Sequence, residues 1–170
     1  MNKMKYSPIL FSGQEVQAIL EGRKTQTRRI IKPQPDPTQT GWEWAGTRPK
    51  SDRASGAVAT MGADALASMG QALSRCCPFG QVGDRLWVRE THAWVDDCGW
   101  VYRATDPDWE TTEGWAWRPS IHMPREASRI TLEITGVRCE RLCEIPTSDA
   151  ISEGINGKNP FVWVVSFIRL

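Results

Sequence analysis

What this chain has little of narrows it first. Net charge is nearly absent, since 21 Lys and Arg stand against 20 Asp and Glu to leave +1. A near-neutral molecule has no overall field to draw in a polyanion, so nucleic-acid binding would rest on a local patch. No stretch approaches the ~20 apolar residues that span a bilayer. The basic start, Met1 to Lys5, leads into an apolar run of only Pro8 to Phe11, too short for an export signal. The expectation is a soluble cytoplasmic protein with no membrane partner. Histidine is confined to His92 and His122, and the five cysteines (Cys76, Cys77, Cys98, Cys139, Cys143) include no C-x-x-C pair. An odd count without that spacing reads as reduced thiols in a cytosol rather than a disulfide framework or a structural zinc site. A Gly-rich dinucleotide loop and a P-loop are also missing, so neither cofactor nor metal is expected. Nor is there a paired-carboxylate or metal cluster that would support a nuclease.

Tryptophan, by contrast, is abundant. Nine are present, and Trp87, Trp94, Trp100, Trp109, Trp115 and Trp117 crowd into one stretch. Large aromatics of this kind fill walls and loops of a small β fold, or one or two of them form a platform for a nucleic-acid base. Trp163 reads as core.

Residues 12–22 read as a short helix. Ser12 and Glu15 have capping-box spacing, Val16, Ile19 and Leu20 form an apolar stripe, and Gly22 supplies a left-handed stop. The following residues, 23–32, suit a strand. Between residue 33 and about residue 80 the composition turns to Pro, Gly, Ala and Ser, with room for one short helix at 63–73. That stretch reads as a surface insertion within a single domain spanning residues 1–170. Strands are expected at 86–91 and 100–104, with a loop at 96–99 and a longer one at 107–127. Residues 128–141 alternate, with Ile130, Leu132 and Ile134 on one side and Thr131, Glu133 and Thr135 on the other. A short helix at 147–154 and a strand at 161–168, apolar on both faces, complete the pattern. The expected class is α+β: a small, mostly antiparallel β-barrel with short flanking helices.

Three segments carry a resemblance. Gly22-Arg23-Lys24-Thr25-Gln26-Thr27-Arg28-Arg29 follows the first helix. Gly83-Asp84-Arg85-Leu86-Trp87-Val88-Arg89-Glu90 opens a strand, and Asp149-Ala150-Ile151-Ser152-Glu153-Gly154 precedes the last one. With Trp117-Arg118-Pro119-Ser120-Ile121-His122-Met123-Pro124 added, the order and spacing resemble the ASCH family of the PUA-like superfamily, and within it proteins of bacteriophages and prophages. The resemblance covers residues 8–32 and 83–170. It implies a PUA-like barrel in a bacterial host cell, with a cleft that binds RNA or a nucleoside- or nucleotide-derived ligand. One branch of small ASCH proteins hydrolyses the acetyl amide of N4-acetylcytidine. On this sequence its catalytic positions fall on Lys24, Thr27 and Glu153.

Amide hydrolysis needs a nucleophile, a group to take its proton and donors for the oxyanion. Thr27 would be the nucleophile, Lys24 its base, and Glu153 would orient the lysine or shuttle a proton. On one strand, positions 24 and 27 would face opposite ways, so they require a turn or bulge after Gly22. As a binding surface, Arg23, Lys24, Arg28, Arg29 and Lys32 place five cations in ten residues without an acid. Such a stripe contacts phosphates or is simply solvated. Arg89 and Glu90 either pair or alternate on their strand, and Tyr102, Arg103, Trp117 and His122 are further ligand-binding candidates. Three function classes therefore stand side by side: an RNA- or nucleotide-binding module, an amidohydrolase, and a non-catalytic phage accessory scaffold that engages proteins.

Overall fold

The computed structural model describes residues 4–32, 76–106, 115–141 and 160–170. Most of the expected insertion (33–75), the expected helices at 63–73 and 147–154, Trp109, Cys143 and Glu153 lie outside the described residues. The rest is mixed α+β, with seven strands and one α-helix among the described residues: β1 (Tyr6–Leu10), α1 (Gly13–Leu20), β2 (Gln26–Ile30), β3 (Arg85–Arg89), β4 (His92–Val95), β5 (Gly99–Tyr102), β6 (Thr131–Arg141) and β7 (Phe161–Arg169). Five strands form a sheet in the order β1-β3-β6-β7-β2, and β4 and β5 form a separate hairpin. Among the described residues the order runs from one edge, β1, to another, β2, and does not close into the expected barrel. β1 pairs with β3 in parallel, while β3 with β6 and β4 with β5 are antiparallel. No helix among the described residues is long and apolar enough to cross a membrane.

Two compact units divide the chain. One comprises Met1–Thr25, Val82–Thr135 and Ser166–Leu170; the other comprises Gln26–Gln81 and Gly136–Val165. In the first, alternation dictates which side of each strand is buried. Ile9 of β1, Leu86 and Val88 of β3, and Leu132 and Ile134 of β6 are buried together with Val16 and Ile19 of α1. In the second, Phe161 to Val165 are all buried. That matches a strand with apolar residues on both faces, and Trp163 is core as expected.

Helix α1 starts and stops for the reasons its sequence gives. Ser12 Oγ accepts from the Glu15 amide while the Glu15 carboxylate accepts from the Ser12 amide, a complete capping box. At the other end Gly22 has φ +75°, its amide donates to Ile19 O, and the Arg23 amide donates to Ala18 O at 2.8 Å. This is a Schellman turn, which satisfies carbonyls that the helix leaves open. The Lys24 amide joins it on Ala18 O at 3.0 Å. Residues 22–24 therefore wrap the helix end, and strand β2 begins only at Gln26.

The hairpin was only half visible in sequence. β5 (Gly99–Tyr102) overlaps the expected strand at 100–104 but begins one residue earlier, in the expected loop, and β4 was not expected. The expected loop at 96–99 is a 3-10 turn, Asp96–Cys98, with Asp97 at φ 31° and Gly99 at φ 77°. Acidic residues and a glycine between two aromatic-rich segments are a hairpin signal, here with a three-residue connection. Within the expected loop at 107–127, Ser120–His122 and Arg125–Ala127 are also 3-10 turns.

Candidate functional site

The first unit gathers a polar group at the foot of the β4–β5 hairpin. Glu90 follows β3 and is 2% exposed. An ionised carboxylate there needs a counter-charge and hydrogen bonds. Arg129, just before β6, supplies both: its Nε donates to Oε1 and its Nη2 to Oε2, each at 2.9 Å. The Arg129 Nη1 donates to Thr105 Oγ1 at 3.0 Å, and the guanidinium lies 4.0 Å from the centre of the Tyr102 ring. Tyr102 in turn donates its hydroxyl to Ala127 O at 2.8 Å. Burial pushes the Tyr102 phenol above its ordinary pKa; the Arg129 charge pulls it down and the Glu90 charge pushes it up. The phenol is thereby held as a donor.

The hairpin register explains what surrounds this group. His92 stands opposite Tyr102, and Trp94 opposite Trp100. Residues two apart share a face, so these four rings form one side of the hairpin. Trp94 meets Trp100 edge-on at 5.0 Å, and His92 lies 5.5 Å from Trp100. His92 is 1% exposed, and its Nδ1 lies 3.2 Å from Glu90 O. A carbonyl only accepts, so Nδ1 carries the hydrogen of this contact. The ring's Nε2 is buried without a hydrogen-bond partner among the described residues, as is the indole N–H of Trp117. His92 is also joined by backbone to Arg118, one residue from Trp117: the His92 amide donates to Arg118 O at 3.2 Å and the Arg118 amide to His92 O at 2.8 Å. Trp94, by contrast, is 58% exposed.

Of the residues singled out from sequence, Glu90 and Tyr102 are brought together, both on Arg129. Arg89 and Glu90 do not pair. Successive residues point to opposite sides, and Arg89 lies against Trp87 with its Nη2 donating to Ile121 O. Trp117 packs against Trp115 at 5.7 Å, and His122 and Arg103 are exposed. Arg129 and His92 were not singled out as site residues, and Trp94 and Trp100 stood only among the six clustered tryptophans from which a stacking platform was expected. Arg129 carries no local signal because it reaches Glu90 across 39 positions. His92 could have been found as an isolated histidine alternating with tryptophan on a hairpin strand.

The basic segment 23–32 is largely met by acids. Arg23 pairs with Glu21, the Lys24 Nζ lies 3.4 Å from Glu15 Oε1, and Arg28 Nε lies 3.6 Å from Glu140 Oε1. The Lys24 side chain is 16% exposed and lies 6.0 Å from the centre of the Phe11 ring. Thr27, on β2, is buried, and Arg29 beside it is half-buried. Glu153 lies outside the described residues. Among those residues no group of three His, Cys, Asp or Glu is arranged to hold a metal. Cys76, Cys98 and Cys139 are free thiols. Comparison of the chain with protein family models, curated proteins and solved structures finds no match.

Proposed function

We propose that this chain is a PUA-like domain of the ASCH type that binds RNA or a nucleotide-derived ligand in the bacterial cytoplasm, using the aromatic face of the β4–β5 hairpin. One observation carries the reading. An exposed tryptophan, Trp94, is fixed edge-on against Trp100, on the same hairpin face as the buried ring of His92 and the half-buried ring of Tyr102. Base stacking needs a flat ring held at low entropic cost, and polar groups beside it orient a base once it is stacked. Arg129 serves this reading as a positioning residue, because its guanidinium lies on the Tyr102 ring and is itself held by Glu90. The test is titration of tryptophan fluorescence with cytidine, N4-acetylcytidine and a short single-stranded RNA. Trp94→Ala is expected to weaken binding by about fivefold or more, the effect of losing one stacked base. Equal affinity in wild type and Trp94→Ala removes the hairpin face from the reading.

A second reading, an N4-acetylcytidine-type amidohydrolase, is supported by the sequence resemblance, which puts its catalytic positions on Lys24, Thr27 and Glu153. Conversion of N4-acetylcytidine to cytidine, followed chromatographically, is expected in the wild type and lost in Lys24→Ala, Thr27→Ala and Glu153→Gln. No turnover in the wild type leaves binding as the function.

A further inference from the structure

The outward face of β1 and β3 carries a second pattern. In β1, Tyr6, Pro8 and Leu10 are exposed while Ser7 and Ile9 are buried. The parallel register sets Tyr6 beside Arg85, Pro8 beside Trp87 and Leu10 beside Arg89. Registered residues share a side of the sheet, so rings and guanidinium groups alternate over one surface. Arg125, from the 3-10 turn at 125–127, lays its guanidinium 4.4 Å from the centre of the Tyr6 ring. Arg85 approaches the same ring at 5.8 Å and donates from Nη1 to the Tyr6 hydroxyl at 2.9 Å. Arg89 lies 5.4 Å from the centre of the Trp87 ring.

A solvated sheet face with arginine stems covering rings would account for part of this. The charge balance asks for more: three arginines stand on this face, and the acid in register with them is Glu133, 3.9 Å from Arg85 Nε. A guanidinium held flat on a ring keeps a planar fork suited to phosphate oxygens. Tyr6, at 42% exposure, offers ring surface beside them. Rings interleaved with cations on an open strand surface match unpaired bases and their backbone; a duplex keeps its base faces stacked inside.

We propose that this face of β1 and β3 binds single-stranded RNA, with phosphates on Arg85, Arg89 and Arg125 and a base stacked on Tyr6. The proposal shares the partner class of the reading above, and it stands on a different surface. The experiment is fluorescence anisotropy of a labelled oligouridylate over a salt series. It uses the full chain and its Tyr6→Leu, Arg125→Gln and Trp94→Ala variants, each checked for folding by circular dichroism. Three phosphate contacts predict a plot of log affinity against log salt with a slope of about −2, which Arg125→Gln makes shallower by about 0.7. Tyr6→Leu is expected to weaken binding about fivefold or more. Loss with Trp94→Ala but not with Tyr6→Leu or Arg125→Gln overturns the sheet face and spares the hairpin. Absence of RNA binding in every protein overturns the sheet face, and leaves the hairpin reading to its nucleoside titration. Equal competition by polyglutamate or by duplex RNA also overturns the proposal, as does a self-associated chain that Tyr6→Leu disperses without any RNA binding.

Discussion

Glu90 and Arg129 set a large stake on single residues in the first unit. The pair is bidentate, with Glu90 buried and the Arg129 side chain 27% exposed, so the two partners are not equivalent. Removing the arginine strands a buried carboxylate, whereas removing the acid leaves a cation that can turn to solvent. Arg129→Ala is therefore expected to cost about 3–5 kcal/mol, and Glu90→Gln less, read as shifts of the urea midpoint at constant slope. Equal losses would show that the burial asymmetry carries no weight. In the second unit, burial and then the neighbouring Glu140 charge push the Cys139 thiol from 9.0 to about 11. The folded chain thus favours the neutral thiol. Its contribution to stability is complete below pH 9 and is lost as pH rises from 9 to about 11. Cys139→Ala is expected to flatten the alkaline fall in stability over that window. Cys139 is also expected to alkylate more slowly than the exposed Cys76 and Cys98, which mass spectrometry of partially labelled protein resolves.

Among the elements, α1 was the most legible, because both its ends are written locally. Ser12→Ala removes a side-chain acceptor from the capping box and is expected to cost about 0.5–2 kcal/mol. Gly22→Ala meets no atom within 4 Å of the new Cβ, so its cost is that of φ +75° alone, about 1 kcal/mol. A Gly22→Asn protein that is as unstable as Gly22→Ala would contradict this, since Asn tolerates the left-handed region. Strands β6 and β7 were legible for a related reason: the alternation around Leu132 and the continuous apolar run from Phe161 to Val165 state their burial directly. β4 was not legible. With four residues, His92 to Val95, it is too short for alternation to stand out, and its partner begins only after the turn at Asp96–Cys98. The consequence reaches the candidate site, because the register of β4 on β5 is what places His92 opposite Tyr102 and Trp94 opposite Trp100.

For the whole molecule, a net charge of +1 leaves RNA attraction to whatever patch is uncompensated. The segment 23–32 looked like that patch in sequence, where its acids are distant or fall outside the window. In the fold, Glu15, Glu21 and Glu140 meet three of its five cations. Little net charge also predicts a solubility minimum near the sequence pI of about 7.6, measurable by precipitation across pH. The sequence by itself determined what depends on neighbours a few positions away: the capped helix, the buried faces of β6 and β7, and the α+β class. Only the tertiary structure decided which charges meet and which rings share a face. Glu90 is joined to Arg129 over 39 positions, and Tyr6 is set beside Arg85 over 79. Helix and strand periodicities act over one or two turns of chain, whereas ion pairing and cross-strand register are fixed by distances in space that composition and spacing do not encode.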